Sequence, residues 1–449
     1  MVVGPFEQLS LPDGGAAPLY LLRYDASGGL SSPQTAQRLR EDAAAGATDV
    51  FLFSHGWNNV FGQALTRYRS FIAGYLAQRV ELGLPTPSPY RPLLVGLVWP
   101  SASFLRPGEE GPQIAAAGPD DPAALADAFH TERMLQFVTE DLDARGAAEL
   151  SELVDGTQRL PEPQARRAVE IVRDAFAAGG DEAGAVAAPT VAGLLDSWAR
   201  LDGVDKPVAE AETFGTAAVG AATAGAATAQ LQPDAAGIGF FDPRTILRTA
   251  TVWKMKGRAG AVGAHGVAPL VSDLLNGSSA RLHLIGHSFG ARLLLSALTA
   301  AQVSRPARSM LLLQAAINRW CFAGDVAGTG RAGGYRPTLA RVEQPVLATL
   351  TSHDDALRKV FHLVMRGDHL GEPDIAAFGD EERYGALGGY GPAGAAGAVT
   401  LPILDPGQPY ALPPDAEVVA IDGSRTLGGH GDVSNPSTWW LLHQLTRPV

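Results

Sequence analysis

The stretch that most constrains the fold is Arg281 to Leu295, RLHLIGHSFGARLLL. A short apolar run meets Gly286-His287-Ser288-Phe289-Gly290 and continues as Ala291, Leu293, Leu294 and Leu295. This reads as a buried strand, a tight turn and a helix. A serine held on a strained strand-to-helix turn leaves no room for a Cβ where neighbouring backbone passes close, which accounts for glycine at both flanking positions. The turn lifts the Ser288 hydroxyl out of the sheet, and the helix that starts there brings its N–H groups and positive dipole end beside it. The spelling alone discriminates weakly: with 52 glycines and 22 serines in 449 residues, Gly-x-Ser-x-Gly arises about 0.3 times by chance. Its setting between a strand and a helix carries the reading.

Other apolar runs repeat the pattern. Gln8 to Asp25 reads as two strands joined by Pro12-Asp13-Gly14-Gly15, and Asp49-Val50-Phe51-Leu52-Phe53 as a strand delivering Ser54-His55-Gly56-Trp57-Asn58-Asn59. Phe61 to Val80 has apolar residues at helical spacing, and Leu93 to Trp99 suits a parallel strand covered on both faces. Met310 to Leu313, Val346 to Leu350 and Val418 to Ile421 are further buried strands, Thr245 to Leu275 is helical, and Thr438 to Leu445 is a closing helix. The expected architecture is α/β, a doubly wound and mainly parallel sheet, formed by residues 1–100 and 244–449. Between them, 101–243 loses the rhythm and reads as a large, mostly helical insertion or lid. Near 213–230 it is nearly all Ala, Gly and Thr, a flexible or loosely packed segment too weakly apolar to span a membrane.

Composition narrows the partners. A formal charge of −12 without a Lys/Arg run argues against nucleic acid or an anionic membrane surface. The start, MVVGPFEQLS, has neither a basic region nor an apolar core of a signal peptide, so cytoplasmic residence is expected. Cys321 is the only cysteine, which excludes an intrachain disulfide and a multi-cysteine zinc site. His283 and His287 are four apart but lie on a strand and its turn, where that spacing does not share a helical face, so no metal is expected. Gly328-x-Gly330-x-x-Gly333 and Gly389-x-Gly391-x-x-Gly394 spell a dinucleotide pattern without the strand–helix setting, and no cofactor is expected.

A serine needs a base to take its proton, and the base needs a third group to hold its ring. After Ser288 the chain offers Asp354 and Asp355 beyond one strand, then Gly428-Gly429-His430-Gly431-Asp432 beyond the last. His430 competes with His353, His362, His369 and His443. Its glycine-rich loop, free to reach over the sheet, favours it. An attacked carbonyl also needs donors for its developing oxyanion. The Phe289 N–H at the helix start supplies one, and the Trp57 N–H in the His55-Gly56-Trp57 loop the other.

These residues resemble the α/β-hydrolases over roughly 5 to 100 and 245 to 449. More narrowly, His55-Gly56-Trp57-Asn58-Asn59, Trp99-Pro100-Ser101, the Ser288 motif, Ser352-His353-Asp354-Asp355-Ala356-Leu357 and His430 resemble a bacterial group with HG(F/W)N, WPS and SxxDxAL motifs. The resemblance implies a serine hydrolase with Ser288 as nucleophile, His430 as acid/base and Asp354, at the family's acid position, as orienting acid. Asp355 would then take the helix-starting role favoured by the dipole. The expected substrate is a small-molecule or lipid-like carboxylic ester. An amidase or peptidase with the same triad, and a binding or signalling protein on the same scaffold, are the alternatives.

Overall fold

The computed structural model describes residues 3–11, 14–57, 59, 61–85, 89–101, 122–140, 142–155, 159–177, 190–202, 240–365, 383–413 and 415–447. Asn58, His369, the 213–230 segment and much of 101–243 lie outside them.

The hairpin β1 (Glu7–Ser10) and β2 (Ala16–Arg23) is the one antiparallel pair of a nine-stranded sheet. The others are β3 (Asp49–Ser54), β4 (Pro92–Val98), β7 (Arg281–His287), β8 (Ser309–Leu313), β9 (Val346–Leu350), β10 (Val399–Pro402) and β11 (Val418–Asp422), all paired in parallel in the order β1-β2-β4-β3-β7-β8-β9-β11-β10. The two-residue β5 (Leu160–Pro161) and β6 (Phe240–Phe241) form a separate ribbon.

Side chains of the central strands alternate between two cores, as the two-residue period of a strand requires. Val50, Leu52, Leu282, Leu284, Met310 and Leu312 enter one core, and Phe51, Phe53, Ile285, Leu311 and Leu313 the other. The first core is covered by α1 (Pro33–Ala44), α7 (Pro243–Ala261), α8 (Ala268–Gly277) and α9 (Phe289–Ala300), the second by α2 (Phe61–Glu81) and the closing helix α10 (Pro436–Thr446). Strands buried on both faces are what helices on both faces demand.

The remaining long helices among the described residues are α3 (Pro122–Thr139), α4 (Ala144–Asp155), α5 (Glu162–Ala177) and α6 (Val191–Asp202). They pack on α7, which in turn packs on α9. Glu140, just past α3, pairs with Lys254 at 2.8 Å and Arg258 at 2.5 Å on α7. The single helical segment expected over 245–275 is broken by a π-helical turn, Val262–Val267, between α7 and α8. Gly263 sits in that turn because a Cβ there would lie 2.2 Å from the Leu293 carbonyl oxygen of α9. No described helix is long and apolar enough to cross a membrane.

Candidate active site

At the carboxyl end of β7 the chain turns straight into α9, leaving Ser288 between them at φ 54° and ψ −125°. Non-glycine residues at such positive φ cost about 1–3 kcal/mol and persist only where the surroundings over-determine them. Here the Ser288 N–H donates to Leu313 O at 3.1 Å, and both flanking glycines are sterically obligatory. A Cβ on Gly286 would sit 2.6 Å from Ala291 Cα, and one on Gly290 would sit 2.4 Å from the carbonyl oxygens of Ser54 and His55.

The Ser288 hydroxyl meets His430 Nε2 at 2.9 Å, and His430 Nδ1 meets Asp354 Oδ2 at 2.8 Å. Ser288, His430 and Asp354 keep only 1%, 6% and 0% of their surface exposed, so this chain of hydrogen bonds is shielded from competing water. An Nδ1–H donated to the carboxylate leaves Nε2 bare to accept the serine proton, the arrangement that makes a hydroxyl nucleophilic.

Asp354 follows β9 and does two things at once: Oδ2 holds His430 while Oδ1 accepts the Leu357 N–H at 2.9 Å. Asp355 stands at the helix start as expected, directly before the helical turn Ala356–Val360, but the side chain that accepts a first-turn N–H is that of Asp354. Asp355 instead faces outward and pairs with Lys359 at 2.8 Å. The other histidines stand apart: His353 is exposed and meets Ser424 O at 3.0 Å, His362 is on a short helix (Phe361–Val364), and His443 lies on α10.

The His430 loop is shaped by polar contacts rather than by glycine. Neither Gly428 nor Gly429 has a positive φ, and a Cβ on either would meet nothing closer than 3.8 Å. Gln314, itself at φ 38°, donates from Nε2 to Gly429 O and Asp432 O, both at 3.3 Å. Asp432 Oδ2 accepts the Gly428 N–H at 2.9 Å, and Oδ1 accepts from Asn435 Nδ2 at 3.0 Å. His287 adds a further hold, donating from Nε2 to His430 O at 2.8 Å. Burial, then the nearby His430, holds the His287 pKa well below its usual value, so this ring is neutral with Nδ1 bare. Gln314 and His287 were missed as site residues. The His287 signal was its place between Gly286 and Ser288, whereas Gln314 had none in the sequence.

The His55 loop comes against the serine from the neighbouring strand, β3. A Cβ on Gly56 would lie 2.8 Å from Ser288 Cβ, and the Trp57 ring stands 6.3 Å from that of Phe289. The path is locked from within. The His55 ring stacks on Trp99 at 5.5 Å, and Trp99 Nε1 donates to His55 O at 3.2 Å. Ser101 Oγ donates to Asn59 O at 3.1 Å, and Asn59 Nδ2 donates to Gly56 O and Trp57 O at 3.1 and 2.9 Å. The His55 N–H donates to Tyr68 Oη at 3.0 Å, and that hydroxyl donates to Leu97 O at 2.6 Å. Burial pulls the His55 pKa down to about 4. The loop thus brings the backbone of His55 and Gly56, the residues just before Trp57, beside the first turn of α9, where Phe289 has no helical carbonyl four residues before it.

A second serine, histidine and aspartate set lies at the other end of the same strands. His283 meets Ser309 Oγ at 2.7 Å and Asp49 Oδ1 at 3.1 Å, with all three buried. Its serine opens β8, without the strand-to-helix turn at positive φ that carries Ser288. Among the described residues no group of three His, Cys, Asp or Glu side chains could hold a metal ion, and Cys321 is buried as a free thiol.

No family model, curated protein or solved structure matches this chain.

Proposed function

We propose that this protein is a serine hydrolase of the α/β-hydrolase type that cleaves a carboxylic ester through an acyl-enzyme. The observation that carries the reading is the continuous chain Ser288–His430–Asp354, at 2.9 and 2.8 Å, ending on a serine at positive φ. His430 Nε2 takes the Ser288 proton as Oγ attacks the ester carbonyl, and the resulting imidazolium is balanced by Asp354. The oxyanion is met by the N–H groups of Phe289 and Trp57, which supply charge stabilisation where it develops. His430 then gives its proton to the leaving alcohol, and water repeats the sequence to release the acid.

A fluorophosphonate probe tests the nucleophile: it labels Ser288 in the native chain, and Ser288→Ala loses the label while its thermal midpoint stays near that of the parent. Equal labelling of the alanine variant would overturn the assignment. Matched ester and amide substrates with the same acyl group then separate esterase from amidase chemistry. In the same reading residues 101–243 are an insertion governing acyl-chain length. An ester panel of increasing chain length, compared before and after shortening that segment, shows no change in preference if this is wrong.

A further inference from the structure

The amino-terminal end of the central strands, opposite Ser288, holds a cavity of about 500 Å³, bounded by the first residues of β3 and β7, Asp49 and Arg281, and by the ends of α2 and α10. Such a volume falls in the range of small-molecule sites. It is about 20 Å along the strands from the serine, given a rise of about 3.3 Å per residue, so it is separate from the hydrolytic site.

Its wall has two kinds of surface. Leu84, Tyr90 and Trp440 offer an apolar and aromatic side, and Arg79, Arg281 and Arg447 offer three guanidinium groups. Among the described lining residues Asp49 alone is acidic, and its Oδ1 is already shared between Arg281 at 2.7 Å and His283 at 3.1 Å. Each arginine also donates to a neutral oxygen, Arg281 doing so beside its ion pair with Asp49. Arg79 donates to Tyr75 Oη at 3.3 Å and Pro85 O at 3.1 Å, Arg281 to Thr446 O at 3.5 Å, and Arg447 to Gln444 Oε1 at 3.2 Å. Neutral acceptors orient a guanidinium without cancelling its charge. With three guanidinium groups to one carboxylate among its described lining residues, the cavity is a locally positive concavity in a chain whose formal charge is −12. His443, in the same wall, registers that field: burial first, then Arg79 and Arg447, pull its pKa to about 4, which leaves the ring neutral.

We propose that this cavity binds a small organic oxyanion, with its phosphate or carboxylate group against Arg281 and Arg447 and its apolar body against Tyr90 and Trp440. Pre-fixed guanidinium groups suit the planar, two-oxygen face of such an anion, and the aromatic side shields the pair from water.

Isothermal titration of the full chain with phenyl phosphate tests this, with inorganic phosphate and phenol as the two halves of the probe. The expected result is saturable one-to-one binding of phenyl phosphate, at least tenfold tighter than either half. Arg447→Glu reverses a charge on an exposed residue, and Leu84→Trp fills the apolar side without touching charge. Each is expected to weaken phenyl phosphate about tenfold, with the thermal midpoint and Ser288 labelling unchanged. No saturable heat with phenyl phosphate, binding within twofold of the parent in both variants, or equal affinity for inorganic phosphate would each overturn the proposal.

Discussion

Asp354 and Asp355 are neighbours of identical chemistry, and everything that separates them is environment. Asp354 is fully buried between the His430 ring and the Leu357 N–H, whereas the Asp355 side chain is 42% exposed and joined to Lys359. Asp354→Asn keeps an acceptor for Leu357 but removes the carboxylate that fixes the His430 tautomer. On the proposed function, the expected result is a fall in kcat on an ester substrate of about 10³–10⁴ with KM little changed, by analogy with the serine proteases. Asp355→Asn loses one surface ion pair, worth about 0–1 kcal/mol, and is expected to retain nearly full activity. A dead Asp355→Asn beside an active Asp354→Asn would reverse the two roles. Ser288, His430 and Asp354 were legible because each follows a readable strand and stands in a local motif. The side chains that aim them were not. Gln314 lies 115 residues from the Gly429 carbonyl it holds, and only the folded sheet brings them together.

Among the elements, strong periodicity marks its element in the sequence and weak periodicity does not. The central strands were visible as short runs apolar on both faces. α1 leaves little mark in the sequence because its buried face is mostly small, with Thr35, Ala36, Leu39 and Ala43. The edge strand β10 carries only Val-Thr-Leu-Pro, a run too short and too polar to stand out. The π-helical turn before α8 was invisible for another reason: it is set by contact with α9, not by its own residues. Gly263→Ala tests that origin. Helix propensity favours alanine by up to about 1 kcal/mol, but the added methyl meets the Leu293 carbonyl at 2.2 Å, and overpacking against backbone costs about 1–3 kcal/mol. A net loss of stability by chemical denaturation is expected, whereas Gly62→Ala, with nothing within 4 Å of its Cβ, is expected to be neutral or stabilising. A stabilised Gly263→Ala would show that α9 yields at this contact.

For the molecule as a whole, the buried histidines set its response to acid. Burial holds His55 and His443 at pKa values of about 4 and His287 well below the usual value. The folded chain keeps these rings neutral, while the unfolded chain takes up protons near pH 6.5. Their contribution is complete above that pH and is lost as pH falls toward 4, at roughly 2 kcal/mol for each of His55 and His443 by pH 5. The denaturant midpoint is therefore expected to fall between pH 7.5 and 5, before the carboxylates begin to protonate. An unchanged midpoint would mean that these rings remain solvated.

The pairing of β3 with β7 has a consequence for how the chain reaches this state. His283 and Asp49, joined across those two central strands, are 234 residues apart in sequence. Every contact that β3 makes on that side must therefore wait for more than half of the polypeptide. Ribosomes add about 5–20 residues per second, so the hydrogen-bonding edge of β3 stands open for on the order of tens of seconds during each round of translation. An uncovered strand edge with an apolar run such as Val50 to Phe53 is a template for pairing with other chains. The nascent protein is thus most vulnerable to aggregation after its first four strands have emerged and before its fifth sheet partner arrives.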